Sequence, residues 1–156
     1  MDKERFGEMI LANERQFYRI AKSILRKDED CQDAAQEAIA RAFGHLGSLK
    51  EDAYAKTWFI RILIRECYTL LRKSSREIPH GELPAASSAA DTDYSELYEA
   101  LSHLEADYRV ALVLYYLEGF RILEIADILN IPEGTVKSRL HRGRQRLSEL
   151  LKEADS

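Results

Sequence analysis

The sequence predicts an all-α protein, two small helical domains joined by a flexible acidic linker, with a helix-turn-helix in the second domain. Three observations lead there. Apolar residues recur at i, i+3, i+4 and i+7 along nearly the whole chain, and strand-like alternation is missing. Pro79, Pro84 and Pro132 fall only between such stretches. The segment IPHGELPAASSAADTD at 78–93 gathers Pro, Gly, Ser and acids without an apolar face, which marks a linker. The expected divisions are a first domain over 1–76, a linker over 77–93 and a second domain over 94–156.

With 156 residues, 46% of them hydrophobic, the chain can build one ordinary core or two small ones. Its formal net charge of -4 excludes a uniformly basic coat, so any nucleic-acid surface must be local. Cys31 and Cys67 stand far apart with no metal-ligand spacing around them, which predicts buried free thiols in a reducing compartment and no metal site. The N-terminus MDKERFGEMILANERQFYRIAKSIL is charged from its second residue, and no apolar run approaches a membrane span. A cytoplasmic protein that is not itself a membrane protein is expected. His45, His80, His103 and His141 are scattered, and neither a Gly-rich phosphate loop nor a nucleophile beside a base is present. An enzyme is therefore not expected, nor a cofactor or a small-molecule substrate.

In the first domain, DEDCQDAAQEAIARAF at 28–43 places Ala35, Ala38, Ile39, Ala42 and Phe43 inward. Asp33, Gln36, Glu37 and Arg41 project from the opposite side. Acids in the opening turns suit the helix dipole, and the same polar face could serve a partner. The next helix, AKTWFIRILIRECYTLLRKSSR at 55–76, carries Phe59, Ile62, Leu63, Cys67 and Leu70 on one face, so Cys67 reads as a core thiol. A second stripe holds Trp58, Arg61, Arg65, Tyr68, Thr69 and Arg72. Aromatics offer stacking platforms to unpaired bases and arginines hold the backbone, the combination that single-stranded DNA binding needs. Trp58 has a competing reading as a core residue.

The second domain opens with a helix carrying Tyr94, Leu97, Leu101 and Leu104, followed by one from about Asp107 to Glu118 closed by Gly119. In the third helix Ile122, Ile125, Ala126 and Leu129 form one buried stripe. Asn130 tolerates the left-handed conformation that ends a helix, and Pro132 suits the first turn of the next. A short break between short helices is the helix-turn-helix signature. In the last helix Val136, Leu140, Gly143 and Leu147 share a core face, with Lys137, Ser138, His141, Arg142 and Arg144 around the rest. Between Gly134 and Ser148 stand Lys137, Arg139, Arg142, Arg144 and Arg146 and no acid, so the cations read as unmatched until an anion such as major-groove DNA meets them.

The string LYYLEGFRILEIADILNIPEGTVKSRLHRGRQRL resembles the fourth domain of bacterial sigma factors, above all the extracytoplasmic-function group, and GTVKSRLHRGR is highly specific to it. The resemblance implies that Arg121, Thr135, Lys137, Ser138, Arg139, His141, Arg142 and Arg144 meet the minus-thirty-five promoter element, and that this domain rests on the flap of the polymerase β subunit. Asp33, Gln36 and Glu37 resemble the family's D-x-x-Q-E, which with Arg41 implies contact with the β′ clamp helices. KTWFIRILIRECYTLLRK resembles the segment that melts and reads the minus-ten element, implying DNA contacts by Lys56, Trp58, Arg61, Arg65, Tyr68, Thr69, Arg72 and Lys73. A loop at about Leu46 to Ala53 would hold the flipped base.

Three departures accompany the resemblance. Arg121 stands where relatives often have a capping Ser or Thr, which should weaken that cap by about 1 kcal/mol. Arg65 and Thr69 stand where relatives often carry Asn and an acid or Asn, leaving the minus-ten preference open. The resemblance covers nearly the whole chain and implies core RNA polymerase, promoter DNA and an anti-sigma factor as partners. The acidic run with Glu77, Glu82, Asp91 and Asp93 would stand in for phosphates in the polymerase's cationic RNA channel. An autonomous helix-turn-helix regulator explains 120–147, but neither DAAQEAIARAF nor the Trp58 to Arg72 stripe. A pure interaction protein leaves the cation-rich last helix unexplained.

Overall fold

The computed structural model describes residues 1–77 and 95–155. The segment IPHGELPAASSAADTD, with Glu82, Asp91 and Asp93, lies outside the described residues, as does Tyr94. The chain divides into two compact units, Met1–His80 and Gly81–Ser156, and the regular elements among the described residues are all helical.

The first unit holds α1 (Lys3–Ala12), α2 (Glu14–Ile24), α3 (Asp28–Gly44) and α4 (Ala55–Glu77). Asp2 caps α1 by accepting the Arg5 N–H at 2.8 Å. Asn13 ends it, its side-chain amide donating to the Met9 carbonyl at 2.8 Å. Asp28, Glu29 and Asp30 occupy the first turn of α3, where the helix dipole favours negative charge. Phe6, Phe17, Ile20, Ile24, Phe59, Ile60 and Leu63 form the core. Phe6 meets Phe43 and Phe59 edge-on at 5.2 and 6.1 Å, and Phe17 meets Phe59 at 4.8 Å.

The inward face of α3 differs from the expected one. Cys31, Ala34, Ala38 and Ala42 are buried, whereas Ala35, Ile39 and Phe43 are only half-buried. Small side chains let α3 lie close along α4, so the seam narrows to alanine and cysteine while the larger residues flank it. On α4, Phe59, Leu63 and Cys67 are buried, Ile62 and Leu70 are half-buried, and Ile60, Ile64 and Glu66 join the interior. The stripe is wider than its periodicity suggests because α2 and α3 both pack on this helix.

The second unit holds α5 (Ser95–Ser102), α6 (Ala106–Leu112), α7 (Ile122–Leu129) and α8 (Glu133–Asp155). From α6 the chain runs into one π-helical turn, Val113–Leu117, in which the Glu118 N–H reaches back to the Val113 carbonyl at 2.9 Å. Gly119 follows at φ 74, a conformation that strains any residue with a Cβ. The helix expected from Asp107 thus ends at its glycine, with a wider last turn that leaves Tyr115, Tyr116 and Leu117 exposed. Arg109 is buried and donates to the Leu104 carbonyl at 2.6 Å, fastening the α5–α6 junction.

Candidate nucleic-acid interface

The start of α7 carries half of a capping box. The Arg121 N–H donates to Glu124 Oε1 at 3.0 Å, but a guanidinium has no acceptor to offer the helix in return. The end of α7 is complete. Asn130 adopts φ 55 and ψ 50, the Ile131 N–H donates to the Ala126 carbonyl at 3.0 Å, and the Asn130 N–H to that of Asp127 at 3.3 Å. This pair of bonds is a Schellman motif. Pro132 sits one residue earlier than expected, before α8, where its carbonyl accepts from the Thr135 and Val136 N–H groups at 3.0 and 3.2 Å. The buried line of α7 runs through Ile125 and Ile128, with Ile122, Ala126 and Leu129 half-buried. Wedged between α8 and the π turn, α7 turns Ile128 inward, which the periodicity had not singled out.

Val136, Leu140 and Gly143 bury the inner side of α8, and Leu147 is half-buried. Arg121, Lys137, Ser138, His141, Arg142 and Arg144 are exposed, while Thr135 and Arg139 are half-buried. The expectation of unmatched cations needs correction. Lys137 lies 3.5 Å from Glu133, Arg139 3.9 Å from Asp107 on α6, and Arg146 3.1 Å from Glu149. These acids stand just outside the 134–148 window or on another helix, beyond the reach of a local count. Arg144 donates to the Tyr116 hydroxyl at 3.0 Å, tying α8 to the π turn. Among the described residues, the side chains of Ser138, His141 and Arg142 have no hydrogen-bond or ion-pair partner. Exposed pairs such as Lys137–Glu133 contribute about 0–1 kcal/mol, so a phosphate can displace them at little cost.

The α4 stripe is presented by a well-anchored helix. Trp58 is half-buried, with its ring edge-to-face on Phe6 at 5.8 Å, so part of the indole joins the core and part stays open to solvent. Lys56, Arg61, Tyr68 and Thr69 are half-buried, and Arg65, Arg72 and Lys73 are exposed. Arg61 donates to the Tyr54 hydroxyl at 3.4 Å, and the Thr69 hydroxyl to the Arg65 carbonyl at 3.0 Å. Between α3 and α4, two 3-10 turns at Leu46–Ser48 and Asp52–Tyr54 bury Leu46 and Leu49 and leave Gly47, Ser48 and 50–53 exposed. Arg5 donates to Asp52 at 3.3 Å, which pins the loop to α1.

On α3, Asp33, Gln36, Glu37 and Arg41 are all exposed. Arg41 Nε donates to Glu37 Oε1 at 3.1 Å and lies 2.9 Å from Oε1 of Glu66, a buried residue of α4. Glu66 escaped the sequence reading, although an acid within the apolar run of α4 was the available signal. Cys31 and Cys67 are free and buried. Burial pushes the Cys31 thiol up to about 11 and the Cys67 thiol further up, so neither is a nucleophile near neutrality. No helix among the described residues is long and apolar enough to cross a membrane.

Residues 9–77 match Sigma-70 region 2, and residues 94–147 match Sigma-70, region 4. The chain is 34% identical over 155 residues to the ECF RNA polymerase sigma factor SigM of Mycobacterium tuberculosis, covering 96% of this chain and 79% of that protein. Against the ECF RNA polymerase sigma factor SigW of Bacillus subtilis the identity is 27% over 171 residues, covering 97% and 91%. The sigma factor RpoE of Bartonella quintana, solved in complex with the anti-sigma factor NepR, superposes with a TM-score of 0.80 at 29% identity, covering 96% of this chain and 98% of that one.

Proposed function

Since the chain belongs to the extracytoplasmic-function sigma factors, we infer that α8, the outer stripe of α4 and the exposed face of α3 are its two DNA readers and its seat on polymerase. It is a promoter-specificity subunit, which binds core RNA polymerase, recognises minus-thirty-five and minus-ten elements and promotes opening of the duplex for transcription initiation. The observation that carries this reading is the tandem match to regions 2 and 4 on two separately packed helical units. These units support the division into 1–76, 77–93 and 94–156. RNA synthesis belongs to the polymerase; this chain supplies binding energy and position, acts in the cytoplasm, and is no enzyme.

In the second unit, Ser138, His141 and Arg142 face the bases of the major groove. Lys137, Arg139, Arg144 and Arg121 hold phosphates, with Thr135 at the mouth of α8. Arg139 must first release Asp107. In the first unit, Trp58 and Tyr68 stack on bases freed by melting, each stack contributing about 1–3 kcal/mol. Lys56, Arg61, Arg65, Arg72 and Lys73 neutralise the strand, and Thr69 borders it. The loop between α3 and α4 receives a flipped base, its two buried leucines anchoring the loop to the first unit. Asp33, Gln36, Glu37 and Arg41 meet the β′ clamp helices, and the second unit meets the β flap. An anti-sigma factor is the expected regulator, since a structural neighbour was solved in complex with one.

Run-off transcription with purified core polymerase tests this reading, with wild type compared against Lys137→Ala/Arg142→Ala and Asp33→Ala/Glu37→Ala. Transcripts from promoters sharing a two-element motif, lost in both variants, are expected. No protein-dependent initiation, together with tight duplex binding by the free chain, would identify an autonomous regulator instead.

A further inference from the structure

We propose that Glu66 is a positioning residue for polymerase docking, setting through Arg41 where Glu37 stands on the exposed face of α3. This rests on the docking reading of Asp33, Gln36 and Glu37 given above. Glu66 is 8% exposed within an otherwise apolar stripe of α4. A carboxylate is kept in such a place only where a cation or strong donors meet it. Arg41 meets it from α3, its Nε 2.9 Å from Glu66 Oε1 and 3.1 Å from Glu37 Oε1. The side chains of Arg41 and Glu37 are more than half exposed, at 58% and 55%.

One guanidinium nitrogen therefore meets both a buried anchor and a surface carboxylate. Without the anchor, Glu37–Arg41 is an ordinary i, i+4 surface pair that samples many rotamers. Tethered to Glu66, Arg41 holds Glu37 in a single place, and a preordered side chain loses less entropy when a partner docks. The tether's root is also informative. Glu66 follows Arg65 on the helix that carries the single-strand stripe, so one rigid helix registers the docking face against the DNA face.

The test is a double-mutant cycle in the full chain, reading the dissociation constant for core polymerase. Glu66→Gln keeps the shape and loses the charge; Glu66→Asp keeps the charge and withdraws it by one methylene. Each should weaken core binding about three- to tenfold, the cost of one freed side chain at an interface, and add almost nothing in a Glu37→Ala background. Equal loss in both backgrounds, or no loss in either, overturns the proposal. If Glu37→Ala alone leaves core affinity unchanged, the docking reading fails and the tether has nothing to position. Should neither Glu66 variant fold, the Glu37 side chain of the wild-type chain decides. NMR couplings that fix a single χ1 rotamer support the tether, and rotamer averaging overturns it.

Discussion

Replacing glycine by alanine at two positions of α8 should have opposite effects. A Cβ at residue 143 would stand 3.2 Å from Leu112 Cδ1, 3.3 Å from Leu112 Cγ and 3.4 Å from Tyr108 Cβ; at residue 134 nothing lies within 4 Å. Leu112 is 4% exposed and has no solvent to swing into, so α8 must lift from α6 by a few tenths of an ångström. Alanine gains up to about 1 kcal/mol over glycine in a helix, less in the first turn where Gly134 sits. Overpacking costs about 1–3 kcal/mol. Gly134→Ala should therefore stabilise the second unit by about 0.5 kcal/mol, and Gly143→Ala should destabilise it by about 1 kcal/mol. Urea unfolding followed by far-ultraviolet circular dichroism measures both. The fluorescence of Trp58, the sole tryptophan and a residue of the first unit, is an internal reference that should not shift. On the proposed role of α8 in the major groove, Gly143→Ala should also weaken minus-thirty-five binding by holoenzyme. Equal stabilisation by both substitutions would refute the reasoning, since the α6–α8 crossing would then relax at no cost.

Arg121→Thr should complete the capping box of α7 and raise stability by about 1 kcal/mol, while minus-thirty-five affinity falls with the lost cation; an unchanged urea midpoint would count against the half-box description. Arg65→Ala should lower the salt slope of holoenzyme binding to a single-stranded minus-ten segment by about 0.7, the share of one phosphate contact, and an unchanged slope would remove Arg65 from the strand. Because burial raises the Cys31 thiol from 9.0 to about 11, its folding contribution is complete below pH 9 and lost as pH rises toward 11. Stability measured across that window should fall, and less so in Cys31→Ala. At pH 8 a disulfide reagent should label neither thiol in the native chain, so labelling of Cys31 at the rate of a free thiol would contradict its burial.

Much of the fold was legible because its signals are local. Asn130 and Gly119 end their helices through their own backbone freedom, and Val136, Leu140 and Gly143 meet the core because their spacing brings them to one side. The exposure of most candidate residues on α3, α4 and α8 was legible for the same reason, since an amphipathic helix exposes whatever its apolar stripe does not use. Residue types and spacing within single helices thus determined the all-α class, the helix-turn-helix and the cationic side of α8. Tertiary structure decided which of those side chains are free. Arg139 pairs with Asp107, Arg144 with Tyr116, and Arg41 with Glu66, in each case across two elements distant in sequence. Packing also decided that α3 buries Ala34 rather than Ala35, and that Trp58 leans on Phe6. Periodicity sets the direction of a side chain about its own helix axis, whereas its partners depend on where neighbouring helices cross, and that is settled only when several stripes share one core.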